Sequence, residues 1–285
     1  MKIKKVEFYG NDNLPGRKLR PFLNSSENWL LGIVTGAGKF DPEKLEEDKQ
    51  RIMYIYRNHG YLTAQVTQAN IDFSEEDDSI TLKFYIKEGP QFKVSSIDIA
   101  EDDEVPHEFV TLFFQLKAGD YYSQEKLGET IKDLKNIWGE RGYIDADVVP
   151  QVVPNLENNT VKIDFHVDKG SKWKLNRIDI TGNHRTHDKI IRRQILLEEG
   201  DILTTGLMEQ SKNNIEYLSY FEKESIKWKK HRISKDKIDL ELQVEEAKTR
   251  QFSAGLTYGG SGPTDGMRLS SSLDFRNVNG QGWDT

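Results

Sequence analysis

The stretch Gly170-Ser-Lys-Trp-Lys-Leu-Asn-Arg-Ile-Asp-Ile-Thr-Gly-Asn183 decides how the rest of the chain is interpreted. Its apolar side chains are spaced as on a strand with one buried face, and it ends in a glycine–asparagine pair that favours a turn. The run that begins at Asp188 has the apolar spacing of a helix. The stretch therefore predicts a strand, a turn and a helix in succession.

The same strand-and-turn pattern begins two earlier segments. Ile3-Lys-Lys-Val-Glu-Phe-Tyr-Gly-Asn11 opens one, and Phe92-Lys-Val-Ser-Ser-Ile-Asp-Ile99 opens the other. A glycine–tyrosine pair that ends a predicted helix also recurs, as Gly60-Tyr61 and Gly142-Tyr143. Recurrence of a whole strand–helix pattern indicates tandem copies of one structural unit.

Each copy predicts the order β-α-α-β-β, which makes the chain an α+β protein of three repeats. We expect domains at residues 1–90, 91–170 and 171–247, joined by short linkers. The first is longer because residues 29–39 add an apolar segment between its helices. The third has Ser219-Tyr220 where the other two have glycine and tyrosine, so its helix end departs from the pattern.

Residues 248–285 depart from the repeat and form the fourth predicted domain. Two alternating segments, residues 252–258 and 267–275, are joined by a glycine-rich connection. This pattern is similar to the opening strands of a membrane β-barrel, here truncated. Met1 begins directly on a strand pattern without a signal peptide, and residues 280–285 stop within strand-and-turn sequence. We therefore expect the sequence to be a piece of a longer secreted chain.

Composition limits the classes of function. The chain has 285 residues, a net charge of −7 and no cysteine, which excludes disulfides, thiolate chemistry and cysteine zinc sites. Basic residues are interspersed with acidic ones, which disfavours nucleic acid as a partner. No apolar run is long enough for a membrane-spanning helix.

Motifs of enzymes and metal sites are missing from the sequence. No glycine-rich phosphate loop stands between a predicted strand and helix, and no nucleophile elbow occurs. His184 and His187 lack a third ligand at useful spacing, so a loop-and-cap role is expected. Glu75-Glu-Asp-Asp78 lacks the glycine and the spaced oxygens of a calcium loop, so a solvated turn is expected. We predict no catalytic residues, no metal and no cofactor.

Several motifs together resemble the POTRA domains of the BamA family, which assembles outer-membrane β-barrel proteins. The motifs are Ile178-Asp-Ile-Thr-Gly-Asn183, Glu199-Gly-Asp201, Tyr56-Arg-Asn-His-Gly-Tyr61, Trp138-Gly-Glu-Arg-Gly-Tyr143, and the segment from Val244 into Phe252-Ser-Ala-Gly-Leu-Thr-Tyr-Gly259. The insertion at residues 29–39 indicates that the repeats correspond to POTRA units three, four and five. The resemblance implies a non-enzymatic, periplasm-facing part of an outer-membrane protein of Gram-negative bacteria.

The resemblance also implies where clients would bind. An open sheet edge accepts an extended chain by main-chain pairing, which tolerates many sequences. The family pattern places this edge on the second strand of each unit, at residues 63–72, 145–153 and 224–230. The candidate client-binding residues are Thr63, Gln65, Thr67, Asp145, Asp147, Val149, Glu224 and Ile226. The implied clients are unfolded outer-membrane proteins.

A second surface implied by the resemblance lies on the third unit. The charged residues Arg192, Arg193, Glu198 and Glu199 flank the apolar Ile195-Leu-Leu197. They are candidates for docking of an accessory assembly lipoprotein, and periplasmic chaperones are further implied partners. A plain inter-helix turn remains the alternative, because Ala118-Gly-Asp120 repeats the Glu199-Gly-Asp201 pattern.

Two other functions stay open at this point. One is a POTRA-bearing translocation or secretion pore that serves a single dedicated client. The other, of a different class, is a soluble adaptor built from KH-like repeats. The net charge and the missing Gly-x-x-Gly loop argue against the second.

Overall fold

A computed structural model describes residues 2–25, 42–74, 79–247, 250–259, 266–275, 277 and 280. Two compact units are distinguished, one of residues Met1–Leu134 with Val148–Val167 and one of residues Lys135–Asp147 with Asp168–Thr285. The predicted segments at residues 29–39 and 75–78 lie outside the described residues.

The first repeat has the predicted element order. Its elements are β1 (Lys2–Tyr9), α1 (Gly16–Leu19) with a 3-10 turn (Arg20–Phe22), α2 (Pro42–Asn58), β2 (Gln65–Ser74) and β3 (Ser79–Lys87). The sheet order is β1-β3-β2, with β1 parallel and β2 antiparallel to β3.

The second and third repeats have the same order and the same sheet topology. The second consists of β4 (Lys93–Ile99), α3 (His107–Thr111), α4 (Gln124–Gly139), β5 (Asp147–Asn155) and β6 (Thr160–Asp168). The third consists of β7 (Lys174–Thr181), α5 (Asp188–Arg192), α6 (Thr205–Tyr217), β8 (Lys227–Arg232) and β9 (Lys237–Gln243). Their sheets run β4-β6-β5 and β7-β9-β8, which confirms the tandem β-α-α-β-β class.

The central strand of each sheet is the last one in the repeat, and it supplies much of the core. In β3 the side chains alternate between buried and half-buried, and Ile80, Leu82 and Phe84 are fully buried. Ile52 and Tyr56 on α2 pack into the same core. The inward-facing side chains of the strand and the apolar side chains of α2 thus pack against each other, as expected for a helix layer on one face of a sheet.

A glycine ends the first strand of the first and third repeats for a steric reason. Gly10 and Gly182 have φ angles of +76° and +91°. A Cβ at Gly10 would overlap the carbonyl oxygen of Ile86 on the last strand of the first repeat, and one at Gly182 that of Val244, directly after the last strand of the third. Glycine is therefore required there, both for the positive φ and for the close approach of two backbones.

Strands β10 (Arg250–Gly259) and β11 (Gly266–Phe275) follow the third repeat and pair antiparallel in continuous register from Arg250↔Phe275 to Gly259↔Gly266. This is the hairpin that the alternating pattern predicts. Among the described helices, none is both long enough and apolar enough to cross a bilayer.

Several predicted element ends are wrong. The second strands begin at Gln65, Asp147 and Lys227, after the predicted starts at residues 63, 145 and 224. In the first two repeats the residues before these strands form turns. Ala64 N–H donates to Tyr61 O at 3.1 Å in the first repeat, and Ala146 N–H donates to Tyr143 O at 3.0 Å in the second. In the third repeat a 3-10 turn (Lys223–Ser225) precedes the strand.

The first helices of the second and third repeats end at Thr111 and Arg192, and the apolar pattern of the sequence continues beyond both ends. Gln115 N–H and Leu196 N–H donate to side-chain hydroxyls on the following long helix, at 3.0 and 2.9 Å. An N–H group that donates to a side chain of another helix cannot donate within its own helix. Each first helix therefore ends before the apolar pattern of the sequence does.

Candidate functional site: the open sheet edges

The second strand lies at the edge of each three-stranded sheet. Within the described chain, β2, β5 and β8 pair only with β3, β6 and β9. An edge strand leaves alternate N–H and C=O groups without a ladder partner. Each repeat thus presents a row of main-chain groups that an extended segment could pair with.

On the opposite edge, the start of the first strand pairs with main chain in the second and third repeats. Val94 N–H donates to Asp120 O at 2.8 Å, and Gly119 N–H donates to Val94 O at 2.8 Å. The equivalent two bonds recur at Leu175 in the third repeat. The loop before the long helix therefore covers the start of the first strand in these two repeats, whereas no described strand pairs with the outer side of the second strand.

The edge strand β2 combines length with few charges, because Asp72 is its one charged residue. It has ten residues, Gln65-Val-Thr-Gln-Ala-Asn-Ile-Asp-Phe-Ser74, with no proline and no basic residue. Phe73 is 61% exposed near its end. The register shifts between Val66 and Gln68, and Thr67 Oγ1 donates to Tyr85 O at 3.1 Å across the irregularity. From Gln68 onward the strand is regular and open to pairing.

The edge strand β5 is apolar but interrupted. Val149 and Val153 are exposed by 55% and 46%. Pro150 and Pro154 lie within the strand, and proline has no N–H to donate. Strand β5 thus offers apolar side chains to a partner while lacking two of its main-chain donors.

The edge strand β8 is basic. Its sequence is Lys227-Trp-Lys-Lys-His-Arg232, and all but the tryptophan are exposed. Lysines on an edge strand oppose pairing with a further strand. A partner with acidic side chains suits this basic edge better than an apolar one.

Asp145, a predicted client-binding residue, is already bound within the molecule. Its carboxylate accepts from Lys230 Nζ at 2.8 Å and from Arg232 Nη2 at 2.9 Å. Burial alone would raise the pKa of Asp145, but the hydrogen bonds and charges of these two cations outweigh it and hold the pKa below the ordinary value. Asp145 thus joins the turn after α4 to strand β8.

The eight predicted client-binding residues divide into two groups. Gln65, Thr67, Asp147 and Val149 lie on edge strands. Thr63 and Asp145 lie in the preceding turns, Glu224 lies in the 3-10 turn, and Ile226 is buried at 2% exposure. Thr63, Asp145, Glu224 and Ile226 are therefore corrected: none of the four belongs to an edge strand.

The predicted docking residues lie together at the end of α5 and in the loop after it. Arg193, Glu198 and Glu199 are exposed, and Leu196 between them is 44% exposed. Arg192 differs, because it pairs with Asp188 at 2.7 Å and donates to Ile178 O at 3.1 Å.

The bond from Arg192 to the first strand has a counterpart in the first repeat. Arg20 donates to Val6 O at 2.9 Å from the equivalent position. A contact that two repeats share indicates that Arg192 holds its helix turn against the strand.

Two buried carboxylates, Glu88 and Glu246, are not among the residues predicted from the sequence. Glu88 is 7% exposed and the side chain of Glu246 is 8% exposed. Each follows the last strand of its repeat and accepts hydrogen bonds from the loop after the first strand. The sequence signal that could have identified them is an acidic residue two positions after the last branched apolar residue of the repeat, Ile86 or Val244.

The predicted histidine pair has the loop-and-cap geometry. His187 stands at the N-cap position of α5, and His184 N–H donates to Gly182 O at 3.1 Å. Among the residues that the structure describes, no group of three or more histidine, cysteine or acidic side chains is arranged to hold a metal ion.

Residues 1–89, 92–170 and 174–247 each match the POTRA family, described as a surface antigen variable number repeat. The chain is 28% identical to the outer membrane protein assembly factor BamA of Neisseria meningitidis over 282 residues, which are 99% of this chain and 35% of that protein. It is also 28% identical to BamA of Neorickettsia risticii over 258 residues, 90% of this chain and 34% of that protein. The chain thus spans about a third of the length of these curated relatives.

Two solved structures are similar. The POTRA3-5 structure of Haemophilus influenzae BamA has a TM-score of 0.72 at 23% identity, covering 86% of this chain and 96% of that one. BamA from Haemophilus ducreyi lacking POTRA domains 1-3 has a TM-score of 0.55 at 26% identity, covering 68% of this chain and 36% of that one. The resemblance that the repeat motifs predicted is confirmed, and the chain belongs to the POTRA family.

Proposed function

We propose that this chain is the periplasm-facing part of an outer-membrane protein assembly factor, and that its repeats bind extended segments of unfolded outer-membrane proteins by strand addition. The names of the relatives support the general role. The open second-strand edge in all three repeats carries the binding proposal. We further propose that the working units follow residues 1–90, 91–170, 171–247 and 248–285.

Main-chain pairing suits a protein that handles many clients. Hydrogen bonds along an edge strand recognise backbone and tolerate varied side chains. No nucleotide or metal takes part in such pairing, so the free energy for client transfer comes from binding and from client folding. The chain acts in this proposal without catalysis.

The three edges are not equivalent, and β2 is the best acceptor. It is free of proline and basic residues and has an exposed phenylalanine near its end. The prolines of β5 and the lysines of β8 weaken strand addition there. We therefore propose Gln68–Ser74 as the principal client segment, with Gln65, Thr67, Asp147 and Val149 in secondary roles.

Accessory lipoproteins are the proposed partners of the third repeat. Arg193, Glu198 and Glu199 flank the exposed Leu196 in sequence, and all four side chains are exposed, which offers a partner one apolar group among charged ones. Arg192 supports this surface from below through its bonds to Asp188 and Ile178. Periplasmic chaperones would deliver the clients.

The test uses proline at neighbouring positions of β2. Asp72→Pro and Phe73→Pro alter two exposed side chains, and successive residues present their N–H alternately to the sheet and to solvent. One variant therefore removes a solvent-side donor and leaves the ladder intact. Asp72→Ala and Phe73→Ala are the matched controls, and circular dichroism identifies which proline variant remains folded.

Binding is measured by NMR titration of the isotope-labelled chain with a peptide from an outer-membrane barrel strand. We expect amide shifts concentrated on Gln68–Ser74, and about tenfold or more weaker binding in the folded proline variant than in its alanine control. Shifts on the helical faces alone, or equal affinity of proline and alanine variants, would contradict edge binding at β2.

A further inference from the structure

The loop after the first strand differs in the third repeat at one buried position. Leu14 and Val105 occupy this position in the first and second repeats and are 4% and 0% exposed. In the third repeat the residue is Thr186, which is 2% exposed. A hydroxyl therefore stands where the other two repeats bury only hydrocarbon, and a buried hydroxyl requires hydrogen-bond partners.

Thr186 has partners on two sides. Its hydroxyl lies 2.8 Å from Glu246 Oε1, to which it donates, and it accepts from Asn277 Nδ2 at 2.7 Å. Its backbone N–H donates to the same Glu246 oxygen at 2.6 Å. Arg185 donates to Glu246 from its N–H and from Nε, each at 2.9 Å. Glu246 thus holds the loop, and the loop's hydroxyl receives Asn277.

The first repeat uses the equivalent carboxylate differently. Glu88 accepts from the hydroxyl of Tyr56 at 2.8 Å, and Tyr56 lies on the long helix of the same repeat. The equivalent helix position in the third repeat is Ile215, which has no hydroxyl. The carboxylate therefore accepts a hydrogen bond from a helix hydroxyl, that of Tyr56, in the first repeat, and from a loop hydroxyl, that of Thr186, in the third.

Asn277 and Gly280 lie in a turn after β11 that contacts this loop with its backbone as well. Gly280 N–H donates to Asn277 O at 3.0 Å, which closes the turn. His187 N–H then donates to Gly280 O at 3.0 Å. A Cβ at Gly280 would overlap the carbonyl oxygen of Arg185, so the contact requires glycine. Asn277 is itself buried, at 7% exposure.

We propose that residues 183–187 of the third repeat, together with Glu246, form a specific binding site for the turn that contains Asn277 and Gly280. The site fixes the end of the β10–β11 strand pair to the third repeat through the side-chain bond from Asn277 to Thr186 and the backbone bond from His187 to Gly280. The third repeat is the repeat adapted to this role, through Thr186 and Ile215. The inference does not depend on client binding, because no open sheet edge takes part in it.

The decisive experiment measures hydrogen exchange at the His187 amide in the full chain. Gly280→Ala adds a methyl group that the contact cannot hold. Gly170→Ala is the matched control, because Gly170 also has a positive φ, +65° against +71°, but nothing lies within 4 Å of its added Cβ. We expect Gly280→Ala to speed exchange at His187 about tenfold and Gly170→Ala to leave it unchanged.

Two further variants test the side-chain bond. Asn277→Ala removes the donor and Thr186→Val removes its acceptor, with the valine that the second repeat already has at this position. Each should speed His187 exchange several-fold, and the double variant should be no faster than the faster single variant. Asn277→Ala and Gly280→Ala decide the matter if Thr186→Val unfolds the repeat. Unchanged His187 exchange in Gly280→Ala, or fully additive effects of Thr186→Val and Asn277→Ala, would overturn the proposal.

Discussion

The first and third repeats close the loop after their first strand around a buried carboxylate, but with different partners. In the first repeat Glu88 accepts from Asn13 N–H at 3.0 Å, Leu14 N–H at 3.3 Å and the Tyr56 hydroxyl at 2.8 Å. All of these groups belong to the same repeat. In the third, the carboxylate of Glu246 is linked through one hydroxyl to a residue beyond the repeat.

The difference shows how one architecture serves two positions in a chain. A carboxylate that binds loop N–H groups fixes the loop in both cases, because unpaired buried donors are costly. With threonine in place of leucine, the loop gains a hydroxyl that accepts a hydrogen bond from Asn277, outside the repeat, while the fold stays the same. The contact creates a junction with the segment that follows.

The second repeat lacks the carboxylate altogether. Lys169 occupies the equivalent position, and its ammonium lies 5.4 Å from the centre of the Tyr143 ring. The loop is instead closed locally, with Glu104 N–H donating to Asp102 Oδ1 at 2.8 Å, and Val105 fills the buried position. The β-α-α-β-β fold therefore does not require the carboxylate, which makes it a feature of particular repeats.

The largest expected effect is that of Glu88→Ala. It leaves Asn13 N–H, Leu14 N–H and the Tyr56 hydroxyl without their acceptor, so we expect the free energy of unfolding to fall by about 3 kcal/mol or more. Tyr56→Phe, which removes only one of these donors, should cost about 1 kcal/mol. Urea unfolding followed by circular dichroism compares the two. Equal losses for Glu88→Ala and Tyr56→Phe would show that the carboxylate does not organise the loop.

An intermediate effect is expected from Leu14→Thr, which gives the first repeat the residue of the third. The leucine is 4% exposed, and the change replaces buried hydrocarbon by a hydroxyl, so we expect a loss of about 2 kcal/mol. Leu14→Val, which copies the second repeat, should cost about half as much. Thermal unfolding of both variants checks this order, and a threonine variant as stable as wild type would mean that the position is not specialised.

The smallest expected effect is the pH dependence of the Glu246 contact. Burial alone would raise the pKa of Glu246, but the hydrogen bonds from Arg185 and Thr186 outweigh it and lower the pKa below its ordinary 4.5. A carboxyl whose pKa is depressed by folding stabilises the protein above its unfolded pKa and loses that contribution as the pH falls through the folded value.

We therefore expect exchange at the His187 amide to accelerate as the pH falls from about 5 towards about 3, after correction for intrinsic rates. Glu246→Gln should flatten this dependence and cost about 1 kcal/mol at neutral pH. NMR hydrogen exchange of both proteins provides the measurement. A wild-type profile that is already flat over this range is the outcome that contradicts the prediction.

Much of the fold was predictable from local patterns. The alternation in β3 and β9 and the helical spacing in α2 specify element types, because each records which side chains must face one core. Element ends were less predictable. Ala64 and Ala146 belong to turns closed by single backbone hydrogen bonds, and such bonds leave little trace in the apolar pattern. Ser219 takes a φ of +57° without being glycine, so the expected helix-end signal is missing although the conformation is present.

The candidate site was predictable in kind but not in detail. The family resemblance implied an open second strand, yet only tertiary structure assigned Asp145 to Lys230 and Arg232, which are more than 80 residues away in sequence. The same holds for Glu88, which binds Asn13 over a separation of 75 residues.

The sequence by itself determined three α+β repeats, their order and the strand pair that follows them, because periodicity and glycine turns act over a few residues. Tertiary structure alone decided which residues form the open edges, which carboxylates are buried and where the Asn277 and Gly280 turn binds. The physical reason is that a polar group's burial and partners depend on segments that chain folding brings together, and no local spacing records them.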